Sequence, residues 1–575
     1  MNHLEVRHSD TREYIYPVSR NILRTNIYCS LIDSNNDLKV KIVYWNRFVE
    51  NDEKTIQMNS FSKDNQSKYY TAEIKLEESA KYLKYYFVIS NELEEVFFSS
   101  YGLSKTLPSK TFEYQSTNEL DVFEVPKWAN GIVGYQIFPE RFFKGSSSPN
   151  GLSLEKWDSQ PSRTNFFGGN LRGIIDKFNY IRDLGVRMIY LTPIFLSNSN
   201  HKYDTVDYFK IDPNFGDIDD LKNLVELCHN NDMKLILDGV FNHIGYYSSQ
   251  FQDVIKKGKA SKYWDWFYIH GDSVDVDKIN YECVGYYKWM PKLRYSSNSL
   301  RKYILSVGEY WISAVGIDGW RLDVSDEVDF TFLQEFRKTI KSVNEDALLI
   351  GETWKDGRDL LRGDQMDSIM NYRFRDISLD YFANESIDTN TFKDRIENIL
   401  FNYPSPSHNA LYNLLGSHDT ERISTICKSN WEKEKLLIVF QMTYPGMPVV
   451  YYGDEIGLEG ETDPDCRQTM KWCSVNEKIL EFYKRMIKIR NENDSLKYGS
   501  FSHLNLENGL YGFVREFKND SIIVVINKSD RFCQFNLNKI FDNMKSELID
   551  IDSQKSKIIK ITREGEKMTV TCIKK

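Results

Sequence analysis

Between residues 132 and 452, short apolar runs alternate with longer segments whose apolar positions recur every three or four residues. The first pattern predicts buried strands and the second predicts amphipathic helices. Strands are predicted at 133–139, 188–191, 234–240, 317–324, 348–350, 367–371, 411–415 and 448–452. Helices are predicted at 174–184, 221–231, 302–314, 332–343, 391–400 and 433–443, with a further one at 479–491. Gly185 follows the first helix and reads as its stop signal. Eight strands, mostly each followed by a helix, predict a closed parallel (β/α)8 TIM barrel, not an open sheet. Two long interruptions, before residue 174 and from about 245 to 300, predict loops that shape a cleft at the barrel rim.

The flanks follow another pattern. Residues 26–31, 40–44 and 82–89 have strand composition, with Asn35-Asn36-Asp37 as a turn, which predicts an N-terminal β-sandwich. Residues 125–131 read as a linker. Residues 510–517 and 522–526, joined by a turn at 518–521, predict a hairpin in a C-terminal β-sandwich. The expected domains are 1–122, a catalytic barrel at 123–496 with a long inserted loop region after its third strand, and 497–575.

Composition narrows the partners. The 575 residues give room for roughly three or four domains. With 41% hydrophobic and 27% charged residues the chain reads as soluble and globular. A formal net charge of -9 argues against nucleic acid, where a basic patch is expected. Aromatic residues make up 14%, supplying core and also flat faces that suit sugar rings. The eight cysteines have no zinc-ligand spacing and read as free thiols in a reducing compartment. No apolar leader is visible at the N-terminus, and no run reaches the ~18 apolar residues of a membrane span. A cytoplasmic protein with no membrane partner is expected.

The predicted strands deliver polar groups at their C-terminal ends. Asp323 closes Gly-Ile-Asp-Gly-Trp-Arg-Leu-Asp (316–323), and Glu352 closes Leu-Leu-Ile-Gly-Glu (348–352). His418 and Asp419 close Asn-Leu-Leu-Gly-Ser-His-Asp (413–419), and Asn242 and His243 follow Leu-Ile-Leu-Asp-Gly-Val-Phe (235–241). Acids on one rim of a barrel suit glycosidic bond cleavage; a retaining mechanism needs two carboxyl groups about 5–5.5 Å apart. Arg321 stands two residues before Asp323, so it shares a strand face with it and can hold it ionised. Each group alone has a plainer reading. A lone buried Asp beside an Arg is more often a structural ion pair, and a lone His or Trp is more often core. His229, His270 and His408 fit no motif.

Taken together, Asp238-Gly239-Val240-Phe241-Asn242-His243, Gly319-Trp320-Arg321-Leu322-Asp323, Gly351-Glu352-Thr353-Trp354 and Leu415-Gly416-Ser417-His418-Asp419 resemble the α-amylase family of glycoside hydrolases, in order and separation. Tyr135 to Phe142, His201-Lys202-Tyr203-Asp204-Thr205 and Met290-Pro291-Lys292-Leu293 resemble its neopullulanase, cyclomaltodextrinase and maltogenic amylase subgroup. That resemblance implies hydrolysis of α-1,4-glucosidic bonds in cyclodextrins, maltooligosaccharides and pullulan, with possible transglycosylation. Other outcomes on the same scaffold are an α-glucan transferase, an α-glucosidase or a non-catalytic carbohydrate-binding subunit.

The resemblance also assigns roles. Asp323 would be the nucleophile and Glu352 the general acid, with its proton held by burial and by the charge of Asp323. Asp419 would bind the sugar 2- and 3-hydroxyls, and His243 and His418 would donate to hydroxyls. Asn242 would brace the site from below, Tyr203 would stack under a sugar, and Trp354 would stack on the leaving sugar. Asp463 and Arg467 would pin the non-reducing side. The subgroup's N-terminal module covers a partner's active site, which implies a homodimer.

Departures occur at Ser325-Asp326, where the subgroup often has Ala-Asn, and at Arg294, where it often has Asn; both bear on the acceptor side. The loop Lys144-Gly145-Ser146-Ser147-Ser148-Pro149-Asn150, with Gly168-Gly169-Asn170, lacks the carboxylates that calcium wants. No required cofactor and no strong calcium site are expected there.

Overall fold

The structure, a computed structural model, describes residues 4–31, 38–62, 67–146, 151–507, 509–539, 548–564 and 567–573. Eight parallel strands form its centre: β1 (Gly134–Ile137), β2 (Met188–Leu191), β3 (Lys234–Gly239), β4 (Gly319–Leu322), β5 (Leu348–Gly351), β6 (Ser368–Ile369), β7 (Tyr412–Leu414) and β8 (Met447–Tyr451). They pair in chain order, β8 returns to β1, and a parallel bridge between Met370 and Tyr412 joins β6 to β7. The ring is nearly closed, with that single bridge at the β6–β7 seam. Every residue of these strands but Lys234 is buried, because side chains pack inside the ring on one face and under the helices on the other. Met188, Tyr190, Ile236, Leu348, Ile350, Met370, Tyr412 and Leu414 fill the ring; Trp320, Leu322 and Leu349 point out to the helical layer.

The helices differ from expectation in detail. The segment expected as one helix at 174–184 is two, Leu171–Asp176 and Phe178–Leu184, broken at Lys177 and ended by Gly185 at φ 92. The helix expected at 302–314 runs over Asn298–Tyr310 and widens into a π turn over Trp311–Val315. A helix over Tyr372–Phe382 and a hairpin of Phe195–Ser197 with Thr205–Ile211 were not legible from periodicity.

Two β modules flank the barrel. The N-terminal one packs two antiparallel sheets around a core that includes Leu23, Ile27, Ile42, Tyr85 and Phe87. The strands expected at 26–31, 40–44 and 82–89 lie within Ile22–Leu31, Lys39–Asn46 and Lys81–Ser90; the turn expected at 35–37 lies outside the described residues. This module is tied to the barrel by Asn26 Nδ2 donating to the Phe401 carbonyl at 3.3 Å and by Ser405 N–H donating to Tyr16 Oη at 3.0 Å. The C-terminal module is a five-stranded antiparallel sheet with a two-stranded ribbon, Cys533–Asn536 and Leu548–Ile551, packed on it. All eight cysteines are free thiols.

Candidate active site

The C-terminal ends of β3, β4 and β5 converge on one buried arginine. Arg321 stands inside β4 opposite Asp238 in β3, so the register points both side chains into the ring. Its Nη1 lies 3.0 Å from Asp238 Oδ2 and 2.9 Å from Asp323 Oδ1, and its Nη2 lies 2.9 Å from Glu352 Oε2. Asp323 and Glu352 are thus held by the two ends of one guanidinium, a span compatible with the ~5–5.5 Å of a retaining pair.

The turn after β4 aims these acids. Val324 adopts φ 43 and ψ 46, a left-handed conformation costly for a β-branched residue. That conformation directs its N–H to Glu352 Oε2 at 2.8 Å. Ser325 fixes the Glu352 backbone, with its hydroxyl donating to the Glu352 carbonyl at 2.7 Å. Local strain is therefore located where the two acids meet.

Burial first, then the charge of Glu352, pushes the Asp323 carboxyl well above the usual carboxylate range, against the pull of Arg321. Glu352 receives an ionic contact from Arg321 and a backbone N–H from Val324. Asp238, wholly buried, is pushed up to about 6 by burial, partly offset by Arg321 and by the Tyr190 hydroxyl, which donates to Oδ2 at 2.5 Å.

On the opposite wall, Asp419 is partly open. One of its oxygens meets Arg467 Nη2 at 3.0 Å and the other meets His418 Nε2 at 3.0 Å. Arg467 Nη1 also holds Asp463 at 3.0 Å, so one guanidinium joins the two acids. Gln136 Nε2 donates to His418 Nδ1 at 2.7 Å, which leaves the single N–H on Nε2. Burial keeps this ring neutral. Its N–H is directed at Asp419 and at Tyr203 Oη, 2.5 Å away. Donation from His418 to a sugar would therefore exchange one of these contacts. Tyr203 lies parallel to the His418 ring at 5.3 Å and 4°, and its hydroxyl donates to Asp238 Oδ2 at 3.0 Å. It is buried, with 7% of its surface open.

His243 differs from its expected donor role. Its Nε2 lies 3.0 Å from the Tyr203 carbonyl, which can only accept, and burial pushes the ring down to about 4. The neutral ring then carries its proton on Nε2, and the buried Nδ1, which has no partner, is an acceptor. Asn242 reaches Glu327 Oε2 at 3.3 Å, and Lys292 Nζ pairs with the same oxygen at 2.8 Å. It braces the loop after β4. Trp354 is 53% exposed and lies on Tyr372 at 3.9 Å and 14°, a supported ring at the rim. Sequence reasoning gave no role to Asp238, Gln136 or Tyr190. A charged residue inside the apolar run 235–241, in line with Arg321, is the signal that could have found Asp238.

Asn170, at the loop after β1, caps the helix Leu171–Asp176. Its Oδ1 accepts from Gly173 N–H at 2.8 Å and from Gly145 N–H at 3.2 Å. Among the described residues no group of three or more His, Cys, Asp or Glu could hold a metal ion; residues 147–150 of this loop lie outside them.

Two carboxyl groups sharing one arginine at the mouth of a (β/α)8 barrel mark the protein as a glycoside hydrolase. The chain belongs to the α-amylase family. Residues 136–477 match the α-amylase catalytic domain, and residues 1–118 match the N-terminal ig-like domain of α-amylases. It is 42% identical over 533 residues to a cyclomaltodextrinase of Thermoanaerobacter pseudethanolicus, covering 91% of this chain and 92% of that one. It is 40% identical over 530 residues to neopullulanase 2 of Thermoactinomyces vulgaris, covering 90% of each. A solved cyclomaltodextrinase superposes with a TM-score of 0.86 at 36% identity, covering 92% of both chains. The protein is an enzyme that hydrolyses α-glucans in the manner of these relatives.

Proposed function

We propose that the protein cleaves α-1,4-glucosidic bonds of cyclodextrins, maltooligosaccharides and pullulan with retention of configuration. The observation that carries this reading is the Arg321 bridge between Asp323 and Glu352. Asp323 Oδ attacks the anomeric carbon while the bond to the leaving oxygen breaks, and Glu352 gives that oxygen its proton. Glu352 then takes a proton from water, the water oxygen attacks the same carbon, and Asp323 leaves. Glu352 has to carry a proton when substrate binds. A leaving oxygen accepting from Glu352 draws it there, and Arg321 compensates the charge left on Asp323.

Asp419 accepts from sugar hydroxyls, oriented by Arg467 and His418. Asp463 and Arg467 bound the non-reducing side, and Glu327, Lys292 and Trp354 bound the acceptor side, where water or a second sugar competes for the intermediate. No metal is required: the Asn170 oxygen is committed to two backbone N–H groups, and Lys144 stands on the same loop. Activity should therefore persist in excess chelator. The enzyme works as a cytoplasmic homodimer. A relative of Bacillus subtilis, 39% identical over 480 residues, is named an intracellular maltogenic amylase. On one sheet of the N-terminal module Trp45 and Phe97 stay partly exposed over buried Val43, Tyr86 and Val88. Such a face suits a second copy.

The test is reducing-sugar release from β-cyclodextrin and maltotriose. Wild type turns over both, and Asp323→Asn lowers kcat by at least about 10⁴-fold with an unchanged circular dichroism spectrum. Activity retained in that variant would remove Asp323 as nucleophile.

A further inference from the structure

The segment that carries Asp463 and Arg467 leaves β8 without a strand to lie against. Between Gly457 and Trp472 the chain forms one short turn, Asp465–Arg467, and pairs with no strand among the described residues. Its buried carbonyls therefore need donors from elsewhere in the fold. Arg422 Nε donates to the Cys466 carbonyl at 3.0 Å, and Tyr451 Oη donates to the same oxygen at 3.2 Å. Arg141 Nη1 donates to the next carbonyl, that of Arg467, at 3.0 Å. The Tyr452 hydroxyl donates to the Gln468 carbonyl at 2.6 Å, and the Arg422 N–H donates to the Gly460 carbonyl at 3.0 Å.

The two arginines are themselves fixed. Arg422 is wholly buried; its Nη1 donates to Asp454 Oδ1 at 2.7 Å and to the Tyr452 carbonyl at 2.9 Å, and its guanidinium lies over the Tyr451 ring at 4.3 Å. Arg141, also buried, pairs with Glu140 and lies over the Phe167 ring at 4.6 Å. They grip consecutive carbonyls of one turn. From that turn Arg467 reaches Asp419 with Nη2 and Asp463 with Nη1, each at 3.0 Å, and its Nε donates to the His418 carbonyl at 2.8 Å. A shift of the Cys466 carbonyl therefore moves the Arg467 side chain against both acids. The planar fork of Arg422 spans the Cys466 carbonyl and Asp454 at once; an ammonium group is a single point charge without that fork.

We propose that Arg422 and Arg141 are positioning residues for the non-reducing-side wall: they fix the Cys466 and Arg467 carbonyls, and through them the Asp463–Arg467 pair that meets a second sugar beyond the one being cleaved. The proposal rests on the assignment of Asp463 and Arg467 to that side. Both arginines are buried, so they act through the backbone and do not reach substrate. A displacement on the order of 1 Å in a group that orients substrate can cost about 10²-fold in rate. Preference for substrates with a sugar at this wall is thus set from behind it.

The test compares kcat/KM for α-maltosyl fluoride and α-glucosyl fluoride, which differ by one sugar on the non-reducing side. Asp463→Ala, measured beside wild type, checks the wall itself and should lower the maltosyl-to-glucosyl ratio. Arg422→Lys should lower that ratio by about tenfold, mostly through KM for maltosyl fluoride, with kcat on glucosyl fluoride within about threefold of wild type. Arg141→Lys should act in the same direction. Tyr451→Phe withdraws only a hydroxyl from the Cys466 carbonyl and keeps the ring under Arg422, so it decides the matter should a lysine variant not fold; its ratio should fall by about two- to threefold. A merely structural role would lower Tm and slow both substrates alike. An unchanged ratio in Arg422→Lys and Tyr451→Phe, with a lowered one in Asp463→Ala, would overturn this proposal alone. An unchanged ratio in Asp463→Ala would overturn the assignment of the wall with it.

Discussion

Arg321 is the residue on which the site turns. It is wholly buried and faces three carboxylates, Asp238, Asp323 and Glu352. One cation against three acids leaves the cluster short of positive charge, so it retains protons that exposed acids would lose. The same logic applies at Glu434, which burial, then the charge of Asp454, pushes up to about 8. Across the window from its ordinary value of 4.5 to about 8, the folded state holds a proton that the unfolded chain lacks. Folding stability therefore falls as pH rises through that window, by up to about 1.4 kcal/mol per pH unit for such a group. The buried histidines act with the opposite sign. His243 is pushed down to about 4, and His201 and His408 to about 3, so below 6.5 the unfolded chain takes up protons that the folded one refuses. Stability then falls as pH drops. Melting curves from pH 5 to 9 should show Glu434→Gln losing part of the alkaline decline seen in wild type; an identical decline in both would remove Glu434 from the account.

At the scale of elements, the site depends on β4 sitting in register between β3 and β5. Gly319 opens that strand at φ 156, and a Cβ there would meet the Leu348 carbonyl oxygen at 2.1 Å. No side chain fits without moving β5. Gly319→Ala should cost roughly 3 kcal/mol or more and displace Asp323 from Glu352, read as a lowered Tm together with lost turnover. A variant with wild-type Tm and activity would contradict this packing.

The barrel strands were legible in the sequence because most are short, largely apolar runs, and Met188–Leu191 was read with its observed bounds. Strand ends were read too long at β1, β4 and β6, since apolar residues such as Val133, Phe138 and Val324 continue past the last paired residue. The helix Tyr372–Phe382 escaped because its opening Tyr372-Arg373-Phe374-Arg375 alternates apolar and charged residues with the period of a strand. At the site, acids at strand ends could be named from position alone. Which hydrogen each group gives or takes could not be read, because that depends on cross-barrel partners such as Gln136 for His418 and the Tyr203 carbonyl for His243.

At the scale of the molecule, the two β modules flank the barrel. The N-terminal module packs on its own barrel through Tyr16 and Asn26 and leaves Trp45 and Phe97 of one sheet partly exposed. If the proposed homodimer forms, light scattering should return about twice the chain mass of 67.7 kDa, and a Trp45→Lys, Phe97→Lys variant should return the monomer with an unchanged circular dichroism spectrum. Wild type found as a monomer at micromolar concentration would contradict the dimer.

The central claim is that Asp323 and Glu352 act across one anomeric carbon, and trapping the intermediate tests it most directly. Glu352→Gln, supplied with an α-glucosyl fluoride whose leaving group needs no proton, should accumulate a sugar ester. Peptide mass spectrometry should place that ester on Asp323. An adduct on any other residue, or a first product of inverted configuration from wild type, would contradict the account.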